Sequence, residues 1–275
     1  METNTNASPY PTVSDEDVLF IALEMGEHIL RNGGEISRAE DSIIRICRAY
    51  GAIHVDVTAI FSMIALTVDY GGTHSTATRR ISNATSNNLG KLSKLNNLSR
   101  YICANRPSKD EFLKRMDEIN RTSRINLTTF VIGSAFAALG FAIFFSDLGS
   151  GFTPEIVLGF LLDGLIAGAL AVPLALISNH LSKTKTNSMI ANFMVCFIGG
   201  VLALGISRFI PCRADIIMIG NIMNFIPGVA MTNAFRDLFG GDIMSGFFRL
   251  CMVLIDAIII AAGYAVAILI FGGVV

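Results

Sequence analysis

Charge is what this sequence is short of. Only 16% of its 275 residues are Asp, Glu, Lys or Arg, where a soluble globular chain carries about a quarter. The shortage is local: of 21 Lys+Arg and 22 Asp+Glu, 15 of each lie at or before Ile125. A net charge of −1, with basic residues interleaved among acids, excludes the basic surface that nucleic acid requires. Metal-ligand spacing is missing too. Cys47, Cys103, Cys196, Cys212 and Cys251 are scattered, and three of them lie in or beside apolar runs, as small buried hydrophobes of a reducing compartment do. His28, His54 and His74 are too far apart for a metal motif. There is no nucleophile elbow, phosphate loop or HExxH. Gly71-Gly72 read as a turn, because no helix with phosphate-loop spacing follows. No catalytic residue, metal, cofactor or enzymatic activity is therefore expected. The first 20 residues are polar and acidic, unlike a secretory signal, so membrane insertion falls to internal segments.

What is present falls into two halves. Residues 1–13 read as a disordered tail rich in Asn, Thr, Ser and Pro. Ser14 before Asp15, Glu16 and Asp17 suits a helix start, and Val18, Ala22, Met25 and Ile29 give its stripe up to Gly33-Gly34. Ser37-x-x-Glu40 reads as a capping box for a second helix, with Ala39, Ile43, Cys47 and Tyr50 as its stripe and Gly51 as its end. The period then changes to two. Val55, Val57, Ala59 and Phe61 alternate with Asp56, Thr58 and Ile60, a second run covers Ile64 to Tyr70, and His74 to Arg80 makes a third. Leu89, Leu92, Leu95, Leu98 and Ile102 mark a helix ended at Arg106-Pro107. Ser108-x-x-Glu111 caps a last charged helix running into Arg121 and Arg124. Residues 14–125 thus read as a soluble α/β domain of order α-α-β-β-β-α-α.

Residues 126–275 read as a transmembrane helical domain. Apolar runs cover Leu127–Phe145, Ile156–Ile177 around Asp163, Met189–Ile206, Ala214–Ala230 with Asp215, and Leu250–Phe271 around Asp256. About 20 apolar residues cross a bilayer. The expected fold is therefore an α-helical polytopic membrane protein of about five transmembrane helices with an N-terminal cytoplasmic α/β domain. Lys114, Arg115, Arg121 and Arg124 before the first run, none in Ser146–Glu155, and Lys183 and Lys185 after the second put that domain inside. Arg208 and Arg213 run against the rule. Five crossings leave the C-terminus outside. Gly133 with Ala137, Gly164 with Gly168, and Gly199 with Ala203 have the spacing of close helix packing.

Asp163 and Asp256 sit near the middle of apolar runs, where a charge costs at least about 2.5–3.5 kcal/mol on insertion scales. They are candidates for proton coupling, with Asp215, at the start of its run, as a third. The alternative for each is a structural bond to a neighbouring helix. Asn192, Asn221 and Asn224 are candidates for a polar substrate path, or for bridging helices. The fourth run breaks at Pro227-Gly228, followed by Thr232 and Asn233. Broken helices of this kind point their ends at substrate in several transporter folds. Arg236 and Arg249 can attract an anionic substrate group or anchor the span ends. Asp215, Asp237 and Asp242 are expected at span ends.

Three segments carry a resemblance. Leu30-Arg-Asn-Gly-Gly-Glu-Ile-Ser-Arg-Ala-Glu40, the Thr-rich strands from Val55 to Arg79, and Phe225-Ile-Pro-Gly-Val-Ala-Met-Thr-Asn-Ala-Phe-Arg-Asp-Leu-Phe-Gly-Gly-Asp242, continued by Gly246 and Arg249, make the chain resemble the threonine/serine exporter (ThrE) family, specifically its YjjP-like N-terminal-type subunit. The resemblance spans about Val18 to Phe271. It implies a secondary exporter in the cell (inner) membrane, driven by proton motive force. The implied substrates are small polar amino acids, threonine and serine, or dicarboxylates such as succinate. Full-length members look like two membrane halves, and this chain ends about five spans in. A separately encoded YjjB-like second half, or a homo-oligomer, is the expected partner within the lipid bilayer. The competing reading makes the α/β domain a membrane-tethered hydrolase, built on Glu35, Ser37, Arg38 and Glu40, or a regulatory module.

Overall fold

A computed structural model describes residues 13–60, 62–72, 74–81, 88–122, 126–146, 154–184 and 186–272. The expected tail, but for its last residue, lies outside the described residues. So do Phe61 of the first strand, Arg124 after the last charged helix, Lys185, and most of the loop after the first apolar run. By internal contacts the chain forms two compact units: Met1–Arg124 with Gly228–Cys251, and Ile125–Pro227 with Met252–Val275.

The first unit opens with the expected element order. Helix α1 is Asp15–Arg31, started by Ser14 accepting the Asp17 amide and by three acids in its first turn. Helix α2 is Ile36–Ala49. Strands β1 (His54–Ile60), β2 (Met63–Asp69) and β3 (His74–Arg80) follow, then α3 (Leu89–Asn105) and α4 (Lys109–Thr122). The sheet is a small antiparallel meander in the order β1-β2-β3, with Val57 opposite Leu66 and Leu66 opposite Ala77. Period-two patterning gives it one covered face. Ala59, Ile64, Leu66 and Val68 join Ile21, Met25, Ile29, Ile43, Ile46, Leu95, Ile102 and Phe112 in one core. The outer face carries Thr67 and Thr76, their hydroxyls 3.0 Å apart across the ladder.

The capping box expected at Ser37 and Glu40 does not form. Helix α2 begins two residues earlier, its N-cap is Glu35 with no side-chain cap, and Glu40 instead accepts the Ala59 amide of β1 at 2.7 Å. Ser108 does cap α4, through the Glu111 amide at 3.4 Å, while Glu111 itself turns to Tyr101 and Arg115.

Later in the chain, α9 (Gly228–Phe239) and the first turns of α10 (Ile243–Phe271) belong to this same unit. A turn at Gly240-Gly241 joins them, with Gly241 at φ +97°. At Gly246 a Cβ would stand 2.7 Å from the Leu238 amide nitrogen, so glycine lets the two helix backbones approach.

The second unit holds α5 (Leu127–Phe145), α6 (Pro154–Lys183), α7 (Ser188–Ser207), α8 (Ala214–Ile222) and the rest of α10. Small side chains make its core: Ala138, Ala142, Ala167, Ala171, Cys196 and Ala203 lie against Leu174, Val195, Ile217, Ile260 and Tyr264. Gly164 and Gly168 meet α5, the latter beside the Ala135 carbonyl, and Gly199 faces Leu174 and Tyr264. Gly133 faces open space, so its expected packing pair is not used. Large apolar residues such as Phe136, Phe144, Leu158 and Leu269 are exposed, as lipid-facing positions are.

Among the described residues four helices, α5, α6, α7 and α10, are long and apolar enough to cross a membrane, one fewer than the five expected. The difference is the segment Ala214–Ala230. It is no single helix: α8 is nine residues, a turn follows over 223–227, and α9 starts at Gly228. Pro227 has no amide hydrogen to give to a continuing helix, and the chain breaks there.

Candidate functional site

The expected site residues divide between the two units. In the second, the end of α8 and the turn after it face α5, α6 and α7 across a cavity of about 230 Å³. That is several times the roughly 30 Å³ share of one water. Its polar lining is Ser134 from α5, Ser178 from α6, Asn192 from α7, and Asn221 and Asn224; the remainder is apolar, and no charged side chain lines it among the described residues.

Asn221 is the best-defined of these groups. It is 1% exposed, and its Nδ2 donates to the carbonyls of Ala167 (3.2 Å) and Ile217 (3.0 Å). Two acceptors on one nitrogen fix which way the carboxamide points, and its Oδ1 is left buried without a partner. An unsatisfied acceptor of this kind costs about 1–3 kcal/mol, a cost that a donor-bearing ligand relieves. Asn224 donates to the Ser134 carbonyl at 3.1 Å, tying the turn to α5. Its neighbour Pro227 lies in the break itself.

Asp163 is buried in α6 but fully engaged. Its Oδ1 accepts the Arg213 amide at 2.9 Å and its Oδ2 accepts Arg213 Nε at 2.8 Å. Arg213 also donates to Ser146 and lies over the Phe160 ring. This arrangement caps the start of α8 and ties it to α6. Asp256 is half-buried in α10 and makes no hydrogen bond or ion pair among the described residues. Asp215 is exposed at the start of α8.

The first unit gathers the others. Asn233 of α9 donates to the Gly33 carbonyl at 2.7 Å. Asp237, one turn later and 2% exposed, accepts the Ile36 amide at 3.3 Å, so it supplies from 201 residues away the cap that α2 lacks locally. Arg249 of α10, itself buried, stands 3.2 Å from the other Asp237 oxygen. Arg236 pairs with Glu35 at the rim. Burial pushes the Asp237 carboxyl above its ordinary range, against the pull of Arg249 and of the Ile36 amide. Burial likewise raises Glu40, opposed by the Ala59 amide. Thr232 is exposed and bonds only back to the Gly228 carbonyl at 3.0 Å. Gly228, the first residue of α9, is exposed too.

Sequence reasoning did not select Ser134, Ser178 or Asp237. The two serines are single hydroxyls in long apolar helices, with no signal beyond their polarity. Asp237 lies four residues after Asn233, and that one-turn spacing on a short amphipathic helix was the available clue.

One family model matches, that of the "Putative threonine/serine exporter" family (ThrE), over residues 20–271, nearly the whole chain. No curated protein and no solved structure matches it. The chain belongs to the ThrE family.

Proposed function

We propose, from that membership, that the chain is a multi-pass membrane component of a secondary exporter, and that its substrate passes through the cavity beside α8. The carrying observation is the uncharged polar lining, with the unpartnered Asn221 Oδ1 among it. Hydroxyl and amide groups suit a small neutral solute with donors of its own, and an ammonium or hydroxyl hydrogen satisfies Asn221. A dicarboxylate would bring two negative charges to walls on which no cation lies among the described residues, at a large desolvation cost. Threonine and serine therefore fit this lining better than succinate.

Asp256 is the carboxylate placed to exchange a proton, because Asp163 is already held by Arg213. Residence in the inner membrane, a cytoplasmic N-terminal domain, and assembly with a YjjB-like second half or with further copies of the chain complete the proposal.

The test is efflux of labelled threonine, serine and succinate from cells that make the chain, with and without a second-half protein. Threonine and serine should leave faster than succinate. Asn221→Ala should raise the half-saturation concentration about tenfold, one hydrogen bond's worth at 1.4 kcal/mol per decade. Faster succinate export, or an Asn221→Ala protein with wild-type kinetics, would contradict the assignment.

A further inference from the structure

The stretches around Asn32–Ile36 and around Asn233–Asp242 have no part in the cavity, yet they meet. The corner between α1 and α2 offers two main-chain groups that no local side chain serves: the Gly33 carbonyl and the Ile36 amide. Helix α9 answers both, through Asn233 and Asp237. The Arg236–Glu35 pair closes the rim. Asp237 is in turn held by Arg249 at the start of α10, so one buried carboxylate joins α2, α9 and α10. An N-terminal domain acting as a separate enzyme or tether has no need of this. Glu35, one of the two acids of the hydrolase reading, is occupied by Arg38 and Arg236.

We propose that the Asn32–Ile36 corner is a clasp for α9, and that the N-terminal domain works by setting the position of this helix. Helix α9 follows directly from the 223–227 turn, which carries two cavity-lining residues, Asn224 and Phe225. A change in the hold on α9 is therefore transmitted along the chain to the turn. Asp237 is a positioning residue here, acting on solute movement through the backbone it fixes. The proposal rests on the transport reading for its consequence, and on the geometry alone for the clasp.

The experiment uses the full chain in lipid nanodiscs for amide hydrogen exchange, and in cells for efflux. The variants are Asn233→Ala, Asp237→Ala and Asp237→Asn. Asn233→Ala and Asp237→Ala should speed exchange in the first turn of α2 by tenfold or more. They should lower the maximal efflux rate about tenfold while leaving the half-saturation concentration unchanged, the opposite of Asn221→Ala. Asp237→Asn keeps an oxygen for the Ile36 amide and should fall between wild type and Asp237→Ala. Should Asp237→Ala fail to accumulate, Asn233→Ala, which removes one neutral hydrogen bond, carries the test. Unchanged exchange sinks the clasp. Faster exchange with wild-type efflux, or a shift in half-saturation instead of rate, keeps the clasp but sinks its role in setting the rate of transport. A wild-type chain that exports neither amino acid, both with and without a second-half protein, sinks the transport reading itself.

Discussion

Two buried-span carboxylates looked alike in the sequence, and their partners now separate them. Asp163 has a guanidinium and a main-chain amide; among the described residues Asp256 has neither. Asp163→Asn should cost stability, because it leaves Arg213 without its counter-charge. The full penalty of breaking a buried pair, about 3–5 kcal/mol, is too high here, since the Arg213 side chain is 41% exposed and water screens it. About 1–2 kcal/mol is expected, read as a lower unfolding temperature in detergent, and Arg213→Gln should lower it similarly. Asp256→Asn should leave the unfolding temperature within a degree or two but remove the response of efflux to an imposed proton gradient. An Asp256→Asn protein that still follows the gradient rules out the coupling role. Both aspartates were legible as unusual from hydropathy. Their difference was not, because it depends on Arg213, fifty residues away, which span counting had set aside as a violation of the charge rule.

At the level of elements, local rules worked where the local partner was the real one. Ser14 and Ser108 cap their helices, and Gly33, Gly51 and Gly71 adopt the positive φ that their positions at helix ends and turns implied. The rule failed at Ser37-x-x-Glu40, where the pattern is a match but α2 starts at Ile36 and takes its cap from Asp237. No window of a few residues contains that information. The α9–α10 pair depends on a comparable long-range fit at Gly246, where a Cβ would meet the Leu238 nitrogen at 2.7 Å and the Ala234 carbonyl at 2.9 Å. These are backbone atoms and cannot rotate aside. Gly246→Val should force α9 and α10 apart at about 1–3 kcal/mol and loosen Arg249 from Asp237. Limited proteolysis should then cut between Gly240 and Ile243 faster than in wild type. An equal rate would mean the contact is not maintained.

The largest consequence concerns how often the chain crosses the membrane. Four helices qualify by length and apolarity, against the five runs counted in the sequence. Yet α9 and the first turns of α10 pack in one unit with α1 to α4, and the proposed cytoplasmic placement of that unit requires both ends of the intervening chain to lie on one side of the bilayer. Helices α5, α6 and α7 are three candidate crossings, and three crossings would leave the chain on the far side. A return is required between Ser207 and Gly228. Helix α8, nine residues and about 13 Å long, spans less than half of a core of about 30 Å. The non-helical residues on either side of it must cover the rest. Such backbone is tolerated at membrane depth only where protein or a cavity satisfies it, and the cavity lies at the end of α8. Helix α10 agrees: Met252 to Phe271, its share of the second unit, is 20 residues, enough for one span of about 30 Å. Five crossings, the fourth of them mostly unlike a helix, are therefore the prediction that follows from the proposed placement. Single cysteines introduced at Ser37 and after Phe271, in a chain with its five native cysteines replaced, should label from opposite faces with an impermeant maleimide. Labelling of both from one face would mean that residues 208–227 do not cross, and that α8 lies against a surface instead of beside a substrate path.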